Sequence, residues 1–277
     1  MRAKKSLGQN FLRSRAVARD LVDAASIQKT DVVVEVGPGK GIITRELLSR
    51  AKKVIAVEKD KRMIEHLKEK FSQEITDGKL ILVHADILQF NPSDFQLSLP
   101  KADQPRAGTF NFQLIGSIPY YITGTFLRQF LSTDPQPKNI TLIIQKEVAQ
   151  RIVAKNDKES ILSISIKAYG EPYYIKTISK KLFSPEPKVN SAIINIDNIS
   201  KKFFTRFGEE DFFKIVKAGF KSKRKKLLSN LKKEFPRADL EKIFFDLKIS
   251  PNARAENLTP SDWENITQSL VLPINLI

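Results

Sequence analysis

The sequence predicts an α/β fold, with a sheet domain over residues 1–200 and a small helical domain over 201–277. Three observations carry this. First, Val32-Val33-Val34-Glu35-Val36-Gly37-Pro38-Gly39-Lys40-Gly41-Ile42-Ile43-Thr44 runs from a β-branched segment through three glycines in five residues into apolar residues at helical spacing. Second, short apolar runs recur down the first 200 residues without alternation, as strands buried on both faces require. Third, beyond residue 200 the apolar spacing becomes helical.

In chain order, residues 1–30 are basic, with Arg2, Lys4, Lys5, Arg13, Arg15 and Arg19 around Gly8-Gln9-Asn10-Phe11-Leu12. From Ser14, a plausible cap, Val17, Leu21, Val22 and Ala25 give a helical stripe. The first strand is expected over 32–36 and its helix over 41–50. The turn between them reads G-x-G-x-G, which is neither the dinucleotide G-x-G-x-x-G nor a P-loop, so alone it fits a bound ligand or a purely structural turn. Val54 to Glu58 is a second strand. Its terminal acid, 21 positions after Gly37, is either a ribose acceptor or the cap of a helix over 61–71, and Asp60 can take the cap role instead. Leu80 to Asp86 is a third. Glu35, Glu58 and Asp86 thus lie at the carboxyl edge of the sheet, where ligands of such folds bind.

Residues 91–112, with Pro92, Pro100, Pro105 and Gly108, show no period and read as an irregular excursion. Phe112 to Gly116 is the fourth strand and runs into Ser117-Ile118-Pro119-Tyr120. Pro119 stiffens this tip and holds Ile118 extended, so that its carbonyl can face a site. Tyr120 offers either a flat face for a base or core packing. Ile140 to Ile144 is a fifth strand, followed by a helix over 145–155; Leu162 to Ala168 and Ser191 to Ile196 are expected to complete the sheet. Phe183 to Ser191, with Pro185 and Pro187, is an extended loop. Beyond 200, helices are expected around Phe212–Phe220, 221–233 and Leu240–Leu247, and from Thr259-Pro260. The segment 221–233 carries Lys221, Lys223, Arg224, Lys225, Lys226 and two further lysines and no acid, as either a solvated helix face or a phosphate-binding one.

Composition narrows the function classes. The formal charge is +16, from 47 basic and 31 acidic residues, which favours a polyanionic partner, nucleic acid before an anionic membrane. There is no cysteine and there are two histidines, so disulfides, thiolate chemistry and a metal site are not expected. No run approaches the ~20 apolar residues of a membrane helix, and the basic N-terminus lacks the apolar stretch of a signal peptide. A cytoplasmic protein is expected.

Together, Gly8 to Leu12, Glu35 to Gly41, Ala56 to Asp60, Gln145 to Arg151, Phe183 to Ser191, Lys223 to Leu227 and Arg254 to Leu258 resemble the ribosomal RNA adenine N6-dimethyltransferases, and within them the bacterial small-subunit (16S), kasugamycin-sensitivity branch. The resemblance covers nearly the whole chain. It implies a Rossmann-like domain with a small helical RNA-binding domain, S-adenosylmethionine as cofactor, 16S rRNA in the small ribosomal subunit as partner, and a monomer. It implies that Asn10, Leu12, Gly37 and Gly39 cradle the cofactor, that Glu58 accepts from its ribose, and that Asp86 accepts from its adenine amino group. Ser117, Ile118, Pro119 and Tyr120 would form the target-amine site, with Phe183 facing Tyr120 across the base and Ser117 also beside the cofactor. The basic residues from Lys221 to Lys226 would meet RNA. The family carries Asn where this chain has Ser117, and a serine hydroxyl can still accept a hydrogen bond. Two other readings stand beside this one. The 23S methylases of macrolide resistance are related, although 221–233 and Arg254 to Leu258 look like the small-subunit branch. A non-catalytic assembly factor on the same fold would fit the change at Ser117.

Overall fold

A computed structural model describes residues 3–4, 7–92, 111–156 and 158–271. Most of the excursion expected over 91–112, including Pro100, Pro105 and Gly108, lies outside the described residues, as do Arg2 and Lys5. The chain divides into two compact units, one of residues 1–149 and 171–199, the other of 150–170 and 200–277. Residues 150–170 therefore group with the C-terminal helices, where the sequence suggested a single cut at 200.

The first unit opens with β1 (Phe11–Leu12) and α1 (Arg15–Ala24), followed by β2 (Val32–Val36), α2 (Ile42–Leu48), β3 (Lys53–Glu58), α3 (Lys61–Lys70), α4 (Ser72–Thr76), β4 (Leu80–His84), β5 (Phe112–Ser117), α5 (Thr123–Ser132), β6 (Ile140–Gln145) and α6 (Lys146–Ile152). Ser14 caps α1 by accepting from the Val17 amide, and Val17, Leu21 and Val22 are buried as their spacing requires. The main sheet has the order β4-β3-β2-β5-β6-β9-β7, where β7 is Glu171–Ile178 and β9 is Ser191–Asp197. The first five strands run parallel, while β9 is antiparallel to β6 and β7 antiparallel to β9. Strand order reverses between β2 and β5, and a cleft is expected beyond the carboxyl ends of strands at such a point. β8 (Phe183–Ser184) pairs with β1 in a separate two-stranded ribbon, Leu12 opposite Phe183.

In the second unit, α7 is Ile161–Lys167, a helix where a strand was expected. Ile161-Leu162-Ser163-Ile164-Ser165-Ile166 imitates the alternation of a strand. Ser160 and Ser163 override it with a reciprocal capping box, and Ile164 and Ala168 bury into the core of the second unit. The missing edge strand is β7, whose faint burial pattern and Pro172 disguise it in sequence. The other helices are α8 (Glu209–Phe220), α9 (Leu227–Glu234), α10 (Leu240–Asp246) and α11 (Pro260–Val271). The expected helix over 221–233 thus starts only at Leu227, and Lys221 to Lys226 form a turn. Among the described residues no helix is long and apolar enough to cross a membrane.

Candidate active site

The glycine turn comes first, because it fixes the tips of β2 and β3. Gly37, Gly39 and Gly41 have φ of +63°, +53° and +72°, which L side chains rarely adopt. The Gly37 amide donates to the Val57 carbonyl at 3.0 Å, and the Gly39 amide to Glu58 Oε2 at 3.1 Å. A Cβ on Gly39 would sit 3.0 Å from the Phe11 ring, and one on Gly41 only 2.5 Å from Phe71. At Gly39 and Gly41 the turn is therefore packed against aromatic rings, with no room for a side chain.

Glu58 is 7 % exposed. It accepts from Gly39 and, at 2.8 Å, from the Asp60 amide. Burial raises its pKa above the ordinary carboxylate value, and these two amides offset only part of that. Its oxygens keep further lone pairs for a ligand. Asp60 takes the cap of α3 by accepting from the Arg62 amide, which releases Glu58 from that alternative. Asp60 also accepts from Gln9 Nε2 at 2.9 Å and pairs with Lys4 at 3.7 Å, tying the N-terminal segment to the tip of β3. The Arg62 guanidinium, outweighing burial, holds Asp60 far below the usual range. Asp86 pairs with Lys59 Nζ at 2.7 Å and accepts from the Leu88 amide at 3.0 Å. Burial opposes its charge, but Lys59 and Leu88 together prevail and lower its pKa.

Ser117 ends β5, paired with Ile143 of β6. Ile118 is buried, and Pro119 starts a short 3-10 turn over Tyr120–Ile122. The Tyr120 hydroxyl meets Ser191 Oγ at 2.8 Å, and its carbonyl accepts from Thr123 Oγ1 at 3.1 Å, so both ends of the residue are anchored. Burial raises the pKa of the phenol.

One cleft gathers Asn10, Gly37, Gly39, Glu58, Asp86, Ser117, Ile118, Pro119, Tyr120 and Phe183. Asn10 turns its amide back to the Gly8 carbonyl at 3.3 Å. Leu12 is not brought to the cleft; successive strand side chains alternate, so Phe11 faces it while Leu12 joins the core. Glu35 also stays out of the cleft. It is fully buried inside β2, with Thr44 beside its carboxyl. Burial outweighs the nearby Thr44 and pushes the Glu35 carboxyl up to about 8.

The basic residues lie in the other unit. Lys221, Lys223, Arg224, Lys225 and Lys226 sit in a turn rather than on a helix face. The buried Asn230 amide holds that turn by donating to the Gly219 carbonyl at 2.6 Å and the Ser222 carbonyl at 3.1 Å. Lys221 pairs with Glu234 at 3.8 Å, whereas among the described residues Lys223 to Lys226 have no ion-pair partner.

The family profile "Ribosomal RNA adenine dimethylase" matches residues 1–271. The chain belongs to the ribosomal RNA adenine dimethylase family. It is 37 % identical over 268 residues to the Ribosomal RNA small subunit methyltransferase A of Dehalococcoides mccartyi, covering 96 % of this chain and 88 % of the relative. The Mycoplasmopsis pulmonis protein of the same name is 36 % identical over 266 residues, covering 95 % and 97 %. Among solved structures, the 23S rRNA methyltransferase ErmE is similar with a TM-score of 0.75 and 26 % identity, covering 94 % of this chain and 99 % of that one.

An rRNA adenine dimethylase of this family implies S-adenosylmethionine, and the cleft suits that ligand. Its ribose hydroxyls and adenine amino group are donors, and Glu58 and Asp86 are acceptors that line the same cleft. Its sulfonium carries positive charge, which these acids favour. Several cleft residues of this dimethylase were not singled out in the sequence: Gln9, Lys59 and Tyr121 line the cleft, and Ser191 holds Tyr120. Gln9 and Ser191 lie inside segments that carry the family resemblance, so their signal was present but gave no role.

Proposed function

We propose that this chain transfers methyl groups from S-adenosylmethionine to N6 of two adjacent adenosines near the 3′ end of 16S rRNA in the small ribosomal subunit, giving N6,N6-dimethyladenosine. The observation that carries the reading is the shared cleft, lined by Glu58 and Asp86 from the ends of β3 and β4 and by the Ser117 to Tyr120 tip of β5, with β2 between them in the sheet. The Dehalococcoides and Mycoplasmopsis relatives are both named for the small subunit, at higher identity than the 23S enzyme, which favours the 16S target over the 23S alternative.

When bound, the cofactor supplies an electrophilic methyl carbon on sulfur. Glu58 accepts from its ribose hydroxyls, Asp86 from its adenine amino group, and the glycine turn lets it approach the backbone closely. An adenine N6 lone pair is delocalised into its ring, and the site must localise it. Ser117 Oγ and the Ile118 carbonyl accept hydrogen bonds from N6, two in the first transfer and one in the second, and favour the pyramidal nitrogen of the transition state more than the flat ground state; the N6 proton, acidic once the methyl group is on nitrogen, leaves to solvent. The target base leaves its stack and lies between Tyr120 and Phe183. The Tyr120–Ser191 hydrogen bond supports this role by fixing the ring.

Single-turnover methylation of unmethylated small-subunit particles tests the assignment. Ser117→Ala is expected to slow the chemical step about five- to a hundred-fold, the effect of losing ~1–3 kcal/mol, with cofactor affinity nearly intact. Glu58→Ala is expected to weaken calorimetric S-adenosylmethionine binding by roughly 1.5–3 kcal/mol. Unchanged rates in the first variant remove the hydroxyl from the chemistry, and unchanged affinity in the second removes the ribose role.

A further inference from the structure

Tyr120 and Tyr121 are neighbours in one short turn, yet they have opposite environments. Tyr120 is tethered inward to Ser191, while Tyr121 is 68 % exposed, one of the most exposed large hydrophobic side chains among the described residues. Tyr121 is nevertheless not a loose surface residue. It sits mid-turn between the anchored Tyr120 and the buried Ile122, whose amide donates to the Pro119 carbonyl at 3.2 Å. Its ring lies against Gly8, so closely that a Cβ there would come within 3.2 Å of Tyr121 Cε1. Tyr121 and Gly8 both line the cleft, beside Lys59 and Asp86. The result is an aromatic ring held at the mouth of the site and largely open to water.

We infer that Tyr121 is a stacking platform for the nucleotide next to the adenosine being methylated. This rests on the function proposed above. If the target base enters between Tyr120 and Phe183, its neighbour along the strand is one backbone step from the cleft mouth, where this ring lies. Extruding the target also strips that neighbour of a stacking partner, and the tyrosine face replaces it. Stacking on an aromatic ring is tolerant of base identity, so one platform serves whichever adenosine of the pair is in the cleft.

The test uses unmethylated small-subunit particles in which one adenosine of the adjacent pair is replaced by the fluorescent base 2-aminopurine, leaving the other as target. Binding of the unaltered protein and of Tyr121→Phe is expected to quench that fluorescence, and binding of Tyr121→Ala is not. On unmodified particles, Tyr121→Ala should raise the half-saturating particle concentration about five- to a hundred-fold, and Tyr121→Phe should restore it. Equal quenching by the alanine variant, or unchanged half-saturation, overturns the platform. Quenching that depends on Tyr121, with no methyl transfer by the unaltered protein, supports the platform and fails the proposed function instead.

Discussion

Glu35 is the residue whose chemistry departs furthest from its sequence expectation. The pattern of three strands ending in acids put it beside Glu58 and Asp86 at the sheet edge. Instead it lies one residue before the strand end, enclosed and fully buried, with a carboxyl raised from an ordinary 4.5 to about 8. The sign of the consequence is fixed. The folded chain keeps a proton that the unfolded chain releases, so this group makes stability fall as pH rises from about 4.5 to about 8. Each unit of such a shift corresponds to ~1.4 kcal/mol. Glu35→Gln, nearly isosteric and without the charge, is expected to flatten that fall in urea titrations between pH 5 and 8. Parallel curves for the two proteins would mean that Glu35 ionises as readily folded as unfolded. The acids that do reach the cleft were legible in the sequence because Glu58 ends β3 and Asp86 lies two residues past the end of β4. Ser117 was legible for the same reason. Leu12 joins the core, because strand alternation sends Phe11 to the cleft.

Among the elements, the central strands were legible because they are buried on both faces. Val32–Val36 and Phe112–Ser117 read as largely apolar runs, and all but one residue of each is buried. Legibility fails at the sheet edge and at short helices, where burial is partial or a cap decides. Ser160 and Ser163 turn an alternating segment into α7, and exposed side chains hide β7. The basic segment shows a third kind of limit. Its residue types were evident, but its shape depends on Asn230, which fastens the turn from within the helix that follows. A fixed turn in which Lys223, Arg224, Lys225 and Lys226 have no acidic partner among the described residues suits phosphate better than a solvated face does. Reversing these four charges is expected to flatten the salt dependence of small-subunit binding by just under one unit of slope for each phosphate that is no longer neutralised. An unchanged slope would assign the turn to solvent.

The whole molecule joins a +16 charge to membership of the rRNA adenine dimethylase family. The charge explains attraction to RNA in general but not the choice of atom, since phosphate contacts carry no sequence information. The choice of atom needs another source, and the strand tip Ser117 to Tyr120, which lines one cleft with Glu58 and Asp86, is the proposed one. The central claim is that this cleft methylates adenosine N6 in the small subunit twice over. The most direct measurement incubates the protein and S-adenosylmethionine with unmethylated small-subunit particles and, separately, with naked 23S rRNA, then digests each RNA to nucleosides and weighs the products. The account predicts N6,N6-dimethyladenosine at two adjacent positions near the 3′ end of 16S rRNA and none in 23S rRNA. Dimethyladenosine in 23S rRNA alone, or none in either, would contradict it.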